Sequence, residues 1–472
     1  MVLCTKRRRI QQIPIKVKTR MIQHSATRRP QNRMAFAIEI GLAALVALLL
    51  LAGFIRVLPT LIRSPDSYDF AAYDVAARVL NTGEPLYDTA RMTDAAKSNG
   101  QAIAFPAYIY PPFLAASLRP IANLPFTAAK TLWFGSNLVC LFASLGLLTR
   151  LIGLPLRTLI PIGLLALMLP PIYDTLLLGQ VNLLLLILIC GALYLSSQSE
   201  SRRQEIVAGF LLGIAAAIKL YPIVIGLAYL SRRRFAALAS MIGGILAMLI
   251  FGIAAGGGLE NTTNYFTKVL LGFAGGTNTP VDQSIWPVMA RLFSVNTFDF
   301  AFLSTDNHTT ALVNPIVNAP IIGSVLALVG AICIIFLTLR SLVRNVQNDQ
   351  ESPALLPEFS LSITLILLTF PVVHDHYLSL LSIPIFFLIW QYRRETRVAL
   401  KRWIRFVLIL LGLFLALQRY WRVIITRTPS PLLLAFGFCA LLLLWLALLR
   451  LMKTSAHPPS NAPEHQLIHD HA

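Results

Sequence analysis

Apolar positions along this chain come in blocks, with no short amphipathic period inside them. Near-continuous apolar runs extend from Met34 to Leu61 and then over roughly 127–149, 157–173, 178–197, 235–256, 316–340, 355–372, 377–392, 402–418 and 431–451, close to the ~20 residues that cross a bilayer as one helix. Residues 207–230 break the pattern. Arginines stand at both ends of this segment (Arg202 and Arg203, then Arg232 to Arg234), and Ile218-Lys219-Leu220-Tyr221-Pro222 interrupts it. A hairpin of two short helices fits better than one crossing, since a proline and a lysine at membrane depth mark broken helices that line polar sites. The pattern predicts an all-α polytopic membrane protein with about 10 full spans plus a broken-helix hairpin.

The best-punctuated polar stretch is Pro65 to Asp88. Asp66 or Ser67 can cap a helix start and Gly83 can close its end, predicting a short helix over Tyr68–Leu80 outside the bilayer. Asp69 and Tyr73, four residues apart, share a face of that helix, whereas Asp74 lies about 140° round. A lone first-turn acid can simply complement the helix dipole, so Asp69 gains interest only from its neighbours. Farther on, Tyr108 to Leu124 is too short and too proline-rich to span, and reads as interfacial or re-entrant.

Composition narrows the class. Of 472 residues, 56% are hydrophobic and 13% charged, which excludes a soluble globule. The formal net charge of +19 would suggest nucleic acid in a soluble protein, but here Lys and Arg fall between apolar runs and report topology, with no nucleic-acid partner expected. Lys6 to Arg33 carries many bases and no acid, which predicts a basic cytoplasmic tail over 1–33. A single transmembrane domain over 34–452, with outer loops 63–126 and 257–315, and a disordered cytoplasmic tail over 453–472 follow from the alternation. Both termini are thus expected in the cytoplasm of a multi-pass cell (plasma or inner) membrane protein. Cys4, Cys140, Cys190, Cys333 and Cys439 suggest no disulfide framework, since no pair shares an outer loop.

The alternation gathers the chemistry on the non-cytoplasmic side: Asp69, Tyr173-Asp174, Gln180, the segment Gly256 to Asn314, and His374-Asp375-His376-Tyr377. Gly256-Gly257-Gly258 and Gly275-Gly276 lack the context of a phosphate loop and read as turns. Asp282, Gln283 and Ser284 are suited to hydrogen-bond a sugar, and Trp286 to stack on one or to sit in an interfacial aromatic belt. Two histidines around one aspartate match no zinc signature, so no metal is expected. Histidines 457, 465, 469 and 471 fall in the proline-rich tail.

Asp69-Phe70-x-x-Tyr73, Gly83-x-x-Leu86-Tyr87-Asp88, Tyr110-Pro111-Pro112, Gly179-Gln180-Val181-Asn182, Gly213-x-Ala215-Ala216-Ala217-x-Lys219-x-x-Pro222, Asp282-Gln283-Ser284 and the turn Pro371 to Tyr377 occur in an order that resembles glycosyltransferase family 87 over roughly residues 35–420. The resemblance implies a GT-C membrane fold, here with outer-side amphipathic helices, and transfer of a sugar, typically mannose, from a polyprenyl phosphate. It also implies that Asp69 is the catalytic base, with a histidine of the late turn near the phosphate. Val372-Val373-His374-Asp375-His376 departs from the family's usual turn, which leaves His374 and His376 both open.

The expected enzyme is a hexosyltransferase that moves a hexose to a lipid or glycan acceptor with inversion and no cofactor. Outside the cytoplasm nucleotide sugars are absent, and a lipid-phosphate donor reaches its site from the bilayer. Asp69 would deprotonate the acceptor hydroxyl. Lys219 and Tyr221 would bind the donor phosphate with His374 or His376, while Tyr73, Asp174, Gln180, Asn182, Gln283 and Trp286 would position substrates. The alternative is a transporter or flippase, which predicts an internal repeat that the sequence lacks.

Overall fold

The computed structural model describes residues 33–63, 67–98, 105–198, 201–272, 282–299, 310–348, 355–420 and 430–455. The basic start, Asp66, Gly275-Gly276 and the tail histidines lie outside them. The described chain is overwhelmingly helical. It opens with α1 (Arg33–Arg63), whose Glu39 pairs with Arg405 at 3.1 Å. Next come α2 (Tyr68–Thr82), α3 (Thr89–Ser98) and the short α4 (Pro112–Leu118). Tyr108 to Leu124 accordingly forms only α4 and a single 3-10 turn, as its prolines require.

Then follow α5 (Phe126–Leu151), α6 (Leu159–Leu167), α7 (Pro170–Leu178), α8 (Asn182–Ser197), α9 (Arg202–Ile218), α10 (Gly226–Ser231) and α11 (Phe235–Ala255). Beyond them lie α12 (Gly258–Asn264), α13 (Ile285–Phe293) and a two-stranded ribbon. Its strands β1 (Asn296–Asp299) and β2 (Thr310–Val313) are antiparallel, with Asn296 opposite Val313. The chain closes with α14 (Pro320–Asn348), α15 (Leu356–Thr369), α16 (Ser382–Arg394), α17 (Val398–Leu417) and α18 (Phe436–Ser455).

Five of these helices are long and apolar enough to cross a membrane: segments of α1, α5, α11, α14 and α18. A sixth crossing results if α6, with the turn before it, and α7 form one span bent by 74°. The other apolar runs give shorter or more polar helices, so length and composition alone do not reach ten spans. Pro170, at the start of α7, divides the run that the sequence pattern reads as continuous over 157–173.

The hairpin break falls where expected. Lys219 ends α9 with extended backbone (φ −136°, ψ 138°), and the 3-10 turn leads into α10. α9 and α11 pack backbone to backbone: a Cβ on Gly209 would strike the Ala237 carbonyl, and one on Gly213 the Met241 carbonyl. Small residues four apart permit such approach, which favours helix association in lipid. The arginines after α10 are anchored away from the break. Arg232 pairs at 2.6 Å with the fully buried Glu358 on α15, and Arg234 donates to the Ser196 carbonyl of α8 at 2.6 Å.

α2 is wedged into the fold rather than laid over it. Phe70 through Ala77 are all buried, against α4, α5 and α7. Ser67 enters in the left-handed region (φ 51°), and its N–H bonds the Leu177 carbonyl at 2.7 Å, fixing the start of α2 to the end of α7. Gly83 (φ 78°) closes the helix, with its N–H on Leu80 and that of Glu84 on Val79, a Schellman ending.

Candidate active site

The C-terminal end of α7 and the N-terminal turn of α2 are locked together by one glycine. Gly179 has φ 71°, a Cβ there would lie 2.6 Å from the Phe70 Cβ, and its carbonyl accepts the Trp133 indole N–H at 2.7 Å. Trp133 in turn stacks on Phe70 at 5.5 Å. Gln180 therefore emerges directly beside α2. Its Oε1 accepts from the Tyr110 hydroxyl at 3.0 Å and lies 3.3 Å from that of Tyr73, while the two hydroxyls are 3.0 Å apart. With the oxygen so occupied, the Gln180 amide donates to the Asp69 carboxylate.

Asp69 is the focus of the site. Burial pushes its carboxyl above the ordinary aspartate range, opposed by the Gln180 hydrogen bond, then by the charges of Lys219 and His374. Lys219 and His374 are therefore close enough to act on it. The buried hydroxyls of Tyr73 and Tyr110 are held well above the usual tyrosine range by desolvation and remain neutral donors.

Lys219 donates to Asn182 Oδ1 at 2.9 Å and sits over the Tyr377 ring at 4.2 Å, with the Tyr110 ring 5.6 Å away. Asn182 thus orients the lysine, and the aromatic faces offset part of the cost of burying an ammonium. Tyr221 packs its ring on Tyr377 (5.2 Å) and Phe370 (6.0 Å). Its buried hydroxyl has no hydrogen-bond partner among the described residues.

The late turn is a 3-10 segment, Asp375–Leu381, leading into α16. His374 precedes it, with Nδ1 2.9 Å from Asp282 Oδ1 and its side chain 31% exposed. His376 is buried, and desolvation holds it well below the ordinary histidine range, with Lys219 and His374 adding to the effect. The two histidines left open by the sequence therefore differ: His374 has a carboxylate partner, and His376 is held neutral. Asp375 accepts from Gln418 Nε2 at 3.0 Å, which anchors the turn to the end of α17.

Three of the candidate positioning residues are placed elsewhere. Gln283 Oε1 accepts the Phe438 N–H at 3.1 Å, and the Trp286 indole donates to the Thr369 carbonyl at 2.8 Å. These bonds fasten the start of α13 to neighbouring helices, with the Gln283 oxygen and the Trp286 indole N–H both turned to backbone. Asp174 belongs to a separate cluster around Tyr173 that includes Arg419, Tyr420 and Asp375. Sequence reasoning quoted Tyr110 only within Tyr110-Pro111-Pro112, and read Asp282 with Gln283 and Ser284 as a sugar-binding segment, not as the partner of His374. Tyr377 as the lysine's aromatic partner carried no separate signal.

A carboxylate facing a lysine and a histidine across a half-buried site suits chemistry in which a proton is accepted at one end and an anion is stabilised at the other. Comparisons with known proteins bear on the family. The sequence profile of glycosyltransferase family 87 matches residues 108–371, more than half of the chain. The polyprenol-phosphate-mannose-dependent alpha-(1-2)-phosphatidylinositol pentamannoside mannosyltransferase of Mycolicibacterium smegmatis is 32% identical over 134 residues, 28% of this chain and 31% of that protein. Its namesake in Mycobacterium tuberculosis is 28% identical over 191 residues, 39% of this chain and 42% of the relative. An alpha-(1->3)-arabinofuranosyltransferase of Corynebacterium glutamicum is 28% identical over 198 residues, 41% of this chain and 45% of the other. Each similarity covers less than half of the relative's length. The profile match takes in Gln180, Asn182, Lys219, Tyr221 and Asp282, and stops short of Asp69 on one side and His374 on the other. By the extent of that match, the chain belongs to glycosyltransferase family 87.

Proposed function

We propose that this protein is a membrane glycosyltransferase that moves a hexose, most plausibly mannose from the names of its relatives, from a polyprenyl-phosphate donor to an acceptor hydroxyl. The observation that carries this reading is the meeting of Asp69, Lys219 and His374 in one site. In the proposed step the acceptor oxygen attacks the anomeric carbon, and its proton passes to Asp69. The bond from that carbon to the phosphate oxygen breaks, the configuration inverts, and polyprenyl phosphate departs with the electron pair. Base assistance of this kind is worth about 10²–10⁴-fold. Lys219, held by Asn182, and His374 stabilise the phosphate as its charge develops. Tyr221 adds a hydroxyl on the same side, and Tyr73, Tyr110 and Gln180 hold Asp69 in place.

The fold assigned to this activity is a GT-C architecture with a single transmembrane domain over 34–452. In it the shorter apolar helices complete about ten crossings alongside the six supported by length. The positive-inside pattern places both termini in the cytoplasm and the site at the opposite face of a cell membrane. The reading is tested by reconstituting the purified full chain in liposomes with labelled polyprenyl-phosphate mannose or labelled GDP-mannose and a lipid extract of the source cells. Label should reach an acceptor from the lipid donor alone. Transfer from GDP-mannose instead would refute the donor assignment.

A further inference from the structure

We propose that Asp282 is a positioning residue that acts through His374, fixing which ring nitrogen faces the phosphate of the donor. This rests on the glycosyltransferase reading above and assigns a role to a carboxylate outside the catalytic set. Asp282 lies just before α13 and its side chain is completely buried (0%), whereas the His374 side chain remains 31% exposed. The carboxylate is thus behind the ring, and the open part of the imidazole is left to the site, where its charge reaches Asp69.

A buried carboxylate is costly unless it is neutralised and hydrogen-bonded. The carboxylate's contact with the site is the ion-pair approach of His374 Nδ1 to its Oδ1 at 2.9 Å, and Arg291, fully buried on α13, fixes the backbone of the same residue by donating from Nη2 to its main-chain oxygen at 2.6 Å. The neighbouring residues are committed to packing: Gln283 bonds the Phe438 N–H, and Trp286 bonds the Thr369 carbonyl. α13 is therefore a rigid mount for the buried acid that precedes it. The other acid in the turn, Asp375, is bonded to Gln418.

A carboxylate on Nδ1 requires that nitrogen to carry the proton, so Nε2 is the atom presented to substrate. It also stops rotation of the ring about its Cβ–Cγ bond. When the ring carries a second proton on Nε2, that N–H is a preorganised donor to the phosphate as it takes on charge, and the acid behind stabilises the positive ring. The proton stays on the histidine throughout, because the acceptor's proton goes to Asp69.

A double-mutant cycle separates this from a purely structural contribution. Asp282→Asn should lower kcat for transfer from polyprenyl-phosphate mannose on the order of 10–100-fold, the usual cost of removing the partner behind a functional histidine. In a His374→Gln background the same change should cost nothing further. Costs that simply add, or near-normal kcat in Asp282→Asn, would overturn the inference. Because a buried acid is altered, a second measurement stands apart from activity. In ¹⁵N-histidine spectra of the full chain in detergent micelles, the His374 signal, assigned by its loss in His374→Gln, should show a proton on Nδ1. In Asp282→Asn, whose amide can donate to Nδ1, the proton should move to Nε2. A wild-type ring protonated only at Nε2 would overturn the dyad. A protein that transfers no sugar would sink the proposed function and leave the spectra to decide the dyad.

Discussion

In the proposed transfer Asp69 must be ionised, in surroundings that disfavour its charge. Burial raises its pKa, and the Gln180 hydrogen bond, Lys219 and His374 oppose the rise. A general base works only when deprotonated, so kcat/KM should fall as pH drops through that raised pKa, beginning above the ordinary aspartate value of about 3.9. Gln180→Leu removes an interaction that lowers the pKa. Its acid limb should therefore move to still higher pH in a transfer assay, and a limb that stays put would contradict the network. Trp286→Phe should leave the donor KM unchanged and cost about 1 kcal/mol of stability, the usual worth of one hydrogen bond, read from unfolding in detergent. A KM raised tenfold would return Trp286 to the substrate. At this scale the sequence was a partial guide. Asp69 and Tyr73 could be paired by helical spacing, and Lys219 by its cost at membrane depth. The bond of Gln283 to Phe438 joins residues 155 apart, and no local pattern encodes a partner that distant. Likewise the difference between His374 and His376 arises from the burial of His376 and from Asp282, far away in the chain.

Among elements, the α2–α7 junction decides whether the site exists. Gly179 combines a left-handed φ of 71° with a Cβ position 2.6 Å from Phe70. Gly179→Ala therefore adds backbone strain of roughly 1–2 kcal/mol and pushes the first turn of α2, and Asp69 with it, away from Lys219. Since a displacement of about 1 Å can cost 10²-fold in rate, kcat should fall by that order while the protein still purifies as a folded species. Unchanged kcat in Gly179→Ala would show that this junction does not set the geometry. Helix punctuation of this kind was readable: Gly83 closes α2 as its position suggested, and the hairpin breaks at Lys219. The close packing of α9 on α11 was not, because Gly209 and Gly213 acquire meaning only when Ala237 and Met241 face them.

For the molecule as a whole, the distribution of charge and apolar length speaks to topology, and the ordered motifs to kinship. Block hydropathy predicts a polytopic helical protein, and helices of spanning length result. A count of apolar residues does not register the 74° bend between α6 and α7, so the continuity of a run is not read from it. Orientation can be measured directly. With the native cysteines replaced, Thr89→Cys in α3 should react with an impermeant maleimide in intact cells, and Arg157→Cys, before α6, only after permeabilisation; the reverse would invert the assignment of sides. The account's central claim is that Asp69 is the base of a transfer from a lipid phosphate. It is tested most directly by comparing wild type with Asp69→Asn in liposomes supplied with labelled polyprenyl-phosphate mannose and acceptor lipid. The account predicts a fall in kcat of about 10²–10⁴-fold in a protein of unchanged melting temperature. Near-normal transfer by Asp69→Asn would contradict it.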